Sequence, residues 1–229
     1  MSRVATDASA SPGGLEAVWV LHSRPYRNSS VILELLGERR GRIGAVARGG
    51  RRNTLLQPFR PLLASFSGRG ELLTLTHCEA EGAALPLAGR ALFCGFYLNE
   101  ILVRVLHRFD PHPELLEPYR ATLSLLTHAD MPQDVLLRRF ELTLLEALGY
   151  GFSLDRDAEG QPLNAGHGYR LDTTLGLIPD PKGFPGDALL AIAAGDWHDT
   201  ARRVARDLLR QALAPLLGDR PLVSRELFR

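Results

Sequence analysis

Residues 41–52 read Gly-Arg-Ile-Gly-Ala-Val-Ala-Arg-Gly-Gly-Arg-Arg. Ile43, Ala45 and Ala47 fall on one side, and Arg42, Gly44, Val46 and Arg48 on the other. That period of two is a strand with one buried face. Gly44 inside it suits a sharp bend, as at a barrel corner. Working outward, Ala17–Leu21 and Val31–Leu36 precede it, and Pro61–Phe66 and Leu72–Thr76 follow. Ser23-Arg24-Pro25, the charged stretch Gly37–Gly41 and Gly68-Arg69-Gly70 mark turns. Five short strands make too small a sheet to leave open. A closed five-stranded barrel of the OB type is expected, and an SH3-like barrel fits the periodicity nearly as well.

Beyond Pro86 the period changes. Leu87–Arg108, Glu114–Thr127 and Pro132–Leu148 space their apolar residues for helices, with Gly149 as a stop. Gly151–Pro185 is rich in Gly, Pro and Asp, with a hairpin near Tyr169–Ile178. Asp187–Ala194 and Asp199–Leu217 are helical, with Asp199 expected as N-cap and Gly218 as stop. The fold class is therefore α+β. Residues 1–14 read as a disordered tail and 15–82 as the barrel. Residues 83–229 read as a helical domain carrying the irregular insert 151–185.

The chain has 229 residues, 45% hydrophobic and 23% charged, which excludes disordered, collagen-like and coiled-coil classes. Its longest apolar run, Ala188–Ala194, is far short of the ~20 residues of a membrane span. No signal-peptide core precedes the barrel, so a cytoplasmic protein is expected. Cys78 and Cys94 are too few for a disulfide framework or a four-ligand zinc site.

The net charge of +1 hides an asymmetry. Residues 1–80 hold eleven Arg against six Asp or Glu, a net of +5, and the remainder carries −4. Such a local excess points to a polyanion site. A genome that prefers Arg codons explains the Arg bias as well, so position matters more than count. Arg39, Arg40, Arg42, Arg48, Arg51 and Arg52 fall within fourteen positions, with Gly49-Gly50 loosening the backbone among them. Guanidinium groups give phosphate two parallel hydrogen bonds. Tyr26, Trp19 and Phe59 are aromatic candidates for stacking on bases, each also suited to the core. Arg202, Arg206 and Arg210 line one face of the last helix, with Arg203 beside them. That pattern fits a phosphate contact or an ordinary solvated face. On the third helix Arg138 shares a face with Val135 and Leu142, a cation beside apolar residues, and Arg139 follows it. The motifs of P-loop, dinucleotide-binding, metalloprotease and serine-hydrolase enzymes do not occur. His107, Asp110 and His112 read as a solvated connection.

Several segments carry a resemblance. They are Val20-Leu21-His22-Ser23-Arg24-Pro25-Tyr26, Val46-Ala47-Arg48-Gly49-Gly50-Arg51-Arg52, Leu56-Gln57-Pro58-Phe59 and Gly68-Arg69-Gly70-Glu71. Tyr97-Leu98-Asn99-Glu100-Ile101-Leu102, Leu137-Arg138-Arg139-Phe140-Glu141-Leu142 and Ser224-Arg225-Glu226-Leu227-Phe228 follow in the second half. In this order they resemble the RecO family of bacterial recombination mediators, from about Leu15 to Phe228.

The resemblance implies an OB-fold followed by a helical domain, and a protein that hydrolyses no nucleotide. It implies binding of single- and double-stranded DNA without sequence preference, and annealing of complementary strands. The implied partners are the acidic C-terminal tail of single-strand DNA-binding protein, RecR and the RecA loading pathway. By position, Arg42, Arg48, Arg51 and Arg52 would contact DNA, with Arg24, Arg27, Arg202, Arg206 and Arg210 as further candidates. Arg138, with Arg139, Val135 and Leu142, would receive the tail's terminal carboxylate and Phe. Many family members carry four cysteines in the insert as a zinc site. Residues 151–185 contain none, so no metal or other cofactor is expected, and the chain resembles the zinc-free branch. A monomer is expected for the chain alone. An RNA-binding barrel remains the alternative reading of the basic loops.

Overall fold

The computed structural model describes residues 14–128 and 131–228. The expected tail, 1–14, lies outside them except for Gly14. The chain forms two compact units: residues up to Ala84 together with His107–Pro111, and Leu85–Leu106 together with His112 onward.

The first unit is a closed barrel of β1 (Glu16–Tyr26), β2 (Ser30–Gly37), β3 (Gly41–Ala47), β4 (Pro61–Ser67) and β5 (Leu72–Ala80), in the order β1-β2-β3-β5-β4. Neighbours are antiparallel except β3 and β5, which pair in parallel over Gly44–Val46 and Leu72–Thr74. This is the OB-type barrel that the strand pattern predicted. Ile43, Ala45 and Ala47 face a core with Val18, Val20, Leu33, Leu35 and Leu62. The turn expected at Ser23–Pro25 is not there. β1 continues to Tyr26, paired with Ser30, and the chain reverses at Arg27, whose φ is 50°. Pro25 lies near the strand's end, where a missing N–H matters least.

The second unit holds α1 (Gly89–Val105), α2 (Pro113–Leu126), α3 (Gln133–Ala147), α4 (Gly186–Ala193) and α5 (Asp199–Leu217). α1 stops short of the expected Arg108 because Leu106 turns extended and residues 107–111 join the barrel. Tyr119 and Phe140 fill the bundle core, and the Tyr119 hydroxyl donates to Asn99 Oδ1 at 2.7 Å. The insert forms a small sheet of β6 (Gly168–Asp172), β7 (Gly176–Pro179) and β8 (Phe184–Pro185), in the order β7-β6-β8. Leu163, Tyr169, Leu171 and Leu177 pack with Leu145, Leu189, Leu208 and Leu213, so an apolar core holds the insert. Asp199 is the first helical residue of α5. His198 is its N-cap, accepting from the Ala201 N–H through Nδ1 at 3.3 Å. The 3-10 helix Val223–Phe228 had no periodic signal in the sequence.

Candidate functional site

Five exposed arginines of the barrel gather at one end of β3, while Arg39 and Arg69 lie toward the other. Arg48 follows the strand directly, and Arg51 and Arg52 sit in a 3-10 turn, Gly50–Arg52. The turn is tied to the β1–β2 connection. The Arg51 N–H donates to the Ser29 carbonyl at 3.1 Å, and its Nη2 donates to the Arg27 carbonyl at 2.9 Å. The Arg27 guanidinium lies 5.1 Å from the Tyr26 ring centroid. Arg24, Arg27, Arg48, Arg51 and Arg52 are exposed and carry no ion pair among the described residues. The sequence neighbours therefore become one cluster of uncountered charge.

Arg42 stands apart from that cluster. Its Nε donates to Glu34 Oε2 at 3.0 Å, and Glu34 also takes the Arg108 guanidinium. Its charge is already engaged within the barrel wall. Trp19 and Phe59 are buried, which leaves Tyr26 half-buried beside the cluster.

The second unit contains a cleft of about 590 Å³. α1 contributes Arg90 and Tyr97, α3 contributes Asp134, Leu137 and Arg138, and α5 contributes Asp199, Arg202, Arg203, Arg206 and Arg210. Arg225 and Phe228 close it from the C-terminal 3-10 helix. The Glu100 carboxylate fixes that segment by accepting from the N–H groups of Val223 and Ser224, at 2.9 and 2.8 Å, and from the Ser224 hydroxyl at 2.5 Å. Burial alone would push Glu100 up. These hydrogen bonds outweigh it and hold the carboxyl below its usual range. Phe228 packs edge-on against Phe93 with centroids 6.1 Å apart. Seven guanidiniums thus face two lining carboxylates and an apolar wall.

Not all of these charges are free. Arg202 clasps Asp134 through Nε at 2.9 Å and Nη2 at 2.8 Å. Burial pushes the Asp134 carboxyl up, and the Arg202 hydrogen bonds and charge outweigh that and hold it low. Arg206 pairs with Asp207 at 2.9 Å. Arg90, Arg210 and Arg225 have no ion pair among the described residues.

Arg138 sits over a buried carboxylate. Its Nη1 is 2.9 Å from Glu141 Oε2, with side chains 13% and 0% exposed. The Tyr97 hydroxyl donates to Glu141 Oε1 at 2.5 Å. Burial pushes Glu141 above the ordinary carboxylate range, against the pull of Arg138 and Tyr97. Burial and the neighbouring Glu141 together push Tyr97 up. The expectation of an exposed Arg138 flanked by Val135 and Leu142 is therefore corrected. Val135 is 1% exposed and inside the bundle. Leu142 packs toward the insert core. A helix with α2 on one side and α5 on another has no such free stripe. Leu137 is buried, as expected, and also contributes to the cleft wall with Tyr97 and Phe228. Arg139 does not line the cleft: it is exposed, with Nη1 3.8 Å from Met131 Sδ. The structure also brings Arg138 and the Arg202–Arg210 face, read as two separate sites, into one cleft. Arg90, Tyr97, Arg225 and Phe228 were missed because contacts across helices leave no local spacing signal.

Residues 16–83 match the family model described as Recombination protein O N terminal, and residues 86–226 match Recombination protein O C terminal. The chain is 48% identical over 220 residues to a Pseudomonas paraeruginosa protein named DNA repair protein RecO, covering 93% of this chain and 94% of that one. Proteins of the same name from Stutzerimonas stutzeri and Alkalilimnicola ehrlichii are 48% and 47% identical, covering 93% and 94% of this chain and 92% and 90% of theirs. Among the described residues no helix is long and apolar enough to cross a membrane.

Proposed function

Since the chain belongs to the RecO family, we propose that it is a non-catalytic recombination mediator of DNA repair. It binds single- and double-stranded DNA without sequence preference and anneals complementary strands coated by single-strand DNA-binding protein. With RecR it promotes RecA loading, as a cytoplasmic, nucleoid-associated monomer. DNA is assigned to the barrel, 15–82, and the coating protein's tail to the helical part, 83–229.

The observation that carries the reading is the uncountered cluster of Arg24, Arg27, Arg48, Arg51 and Arg52 on a closed OB barrel. Guanidiniums at fixed spacing neutralise phosphates and release counterions, whatever the base sequence. Neutralising two strands on one basic surface lowers the repulsion that opposes annealing. The cleft supports the second half of the reading. A tail that ends in Phe with a free carboxylate after acidic residues needs cations and an apolar slot. Arg138, Arg90 and Arg225 supply the first, and Tyr97, Leu137 and Phe228 the second.

The test is fluorescence anisotropy across a salt series with unstructured DNA and RNA of equal length, followed by annealing of coated strands. Salt-dependent, sequence-independent DNA binding and annealing of coated DNA are expected. Exclusive preference for RNA would replace this reading with an RNA-binding one.

A further inference from the structure

We propose that Phe109 is a stacking platform for a base of single-stranded DNA, set in an arginine-lined groove of the barrel. The proposal rests on the DNA-binding reading above and names a contact that reading lacks.

Residues His107–Pro111 belong to the barrel unit although they connect two helices. The Phe109 N–H donates to the Arg42 carbonyl at 3.0 Å, and Arg42 and Arg108 pair as a parallel bridge. Glu34 pairs with both guanidiniums. The close approach requires glycine on β3. A Cβ at Gly41 would overlap the Asp110 carbonyl, and one at Gly44 would lie 2.9 Å from the Arg108 guanidinium carbon. The segment is therefore clamped along the strand.

This clamp holds Phe109 at φ 59°, a conformation unfavourable for a bulky residue, and leaves the residue 39% exposed. Neither the strain nor the exposure serves the core. Strained, exposed residues held by their surroundings cluster at functional sites. Phe109 edges a shallow groove of about 560 Å³ shared with Arg40, Arg69, Leu73 and Glu71. Arg69 is exposed with no ion pair among the described residues. Arg40 is partly engaged, with its Nε 3.2 Å from Glu16 and its guanidinium 5.7 Å from the Phe66 ring centroid. Glu71 is an opposing charge on the rim, facing Arg69 and an Arg40 whose charge is shared with Glu16. An aromatic face beside guanidiniums matches one nucleotide: ring on base, cation on phosphate. The groove lies at the start of β3, and the arginine cluster follows its end. Seven residues of strand span ~23 Å, so one extended DNA strand of a few nucleotides along β3 reaches both.

The test measures binding of the full-length protein to labelled oligo(dT) and to an abasic sugar–phosphate oligomer of equal length. Phe109→Ala should weaken oligo(dT) by roughly 5- to 150-fold and leave the abasic oligomer unchanged. Phe109→Trp should retain oligo(dT) binding, and its indole fluorescence should be quenched by it. Phe109→Gly relieves the positive φ, so it should melt no lower than Phe109→Ala yet bind as weakly. The proposal is overturned if Phe109→Ala binds oligo(dT) as the parent does. It is equally overturned if that variant loses both oligomers alike, which would mean a structural role. A parent that binds neither oligomer would refute the DNA reading and the stacking with it.

Discussion

Replacing Arg138 by Ala tests the cleft's construction before it tests any ligand. The Glu141 carboxyl is fully buried, and Arg138 is its cationic partner at 2.9 Å. With Arg138 gone, the Tyr97 hydroxyl is the one group among the described residues that remains bonded to it. Breaking one side of a buried pair typically destabilises by about 3–5 kcal/mol. Glu141 has an escape, because it can take up a proton. Starting from an ordinary carboxylate near 4.3, neutralising it at pH 7 costs about 3.7 kcal/mol, at 1.36 kcal/mol per unit. That figure caps the electrostatic loss at pH 7, and at pH 5 the cap falls to about 1 kcal/mol. The folded carboxyl of the variant is raised further above its unfolded value. Its stability is therefore greatest below the unfolded value and is lost as pH rises toward the folded one. At about 2–4 °C per kcal/mol for a chain of this size, and with the carboxyl already raised in the parent, melting should fall by up to ~7–15 °C at pH 7 and far less at pH 5. Arg138→Ala/Glu141→Gln should recover most of the loss and show no such pH slope. Thermal melts of the three proteins at both pH values decide the matter. Equal, small losses for Arg138→Ala at both pH values would refute the uncompensated-carboxylate argument. The double variant is then the proper probe of the tail. It removes one charge-assisted contact, so an acidic peptide ending in Phe should bind it about 10- to 100-fold more weakly.

Arg51→Ala/Arg52→Ala should flatten the log–log salt dependence of single-strand binding by roughly one to two units, at about 0.7 per phosphate. It should also weaken all sequences equally, as titrations from low to high salt will show. Asp134 is held low by Arg202, so the stability from that pair is present above its unfolded value and lost as pH falls through the folded one. Asp134→Asn should cost about 0.5–1 kcal/mol at pH 7, because the pair is partly exposed, and acid melts should show a shallower limb. Elemental analysis of tag-free protein should find zinc well below one equivalent; stoichiometric, chelator-sensitive zinc would mean that the insert is held differently from the apolar packing of Leu163, Tyr169 and Leu171.

The barrel was legible because its information is local. Ile43, Ala45 and Ala47 alternate with polar or small residues, and the structure buries that same face. Helix periods in the second half worked for the same reason. Boundaries failed where a distant partner decides them. β1 runs through Pro25 because β2 pairs with it to Tyr26. α1 ends early because β3 captures residues 107–111, a contact readable only once Gly41 and Gly44 are known to face that segment. Phe109 was passed over for Tyr26, Trp19 and Phe59, since exposure and backbone strain leave no trace in residue spacing. Arg138 was misread in the same way. Its own helix shows Val135 and Leu142 as neighbours, while the groups that matter are Tyr97 from α1 and Glu141 beneath.

The cleft changes what a charge substitution can prove. Arg138 and the Arg202–Arg210 face are separated by more than sixty positions, which invites assigning the first to a protein tail and the second to DNA. In the structure they line one cavity. The carboxylates of an acidic tail and the phosphates of a strand seek the same donors, and guanidiniums lining one cavity share whatever anion enters. Arg202 already answers to Asp134, which lines the cleft, so its substitution also releases a carboxylate there and repels either ligand, and Arg206 is already paired with Asp207. Arg210 and Arg90 have no such partner among the described residues, so their loss removes charge without exposing any. Those two positions, measured with tail peptide and with DNA in the same buffer, separate the ligands where the paired arginines cannot.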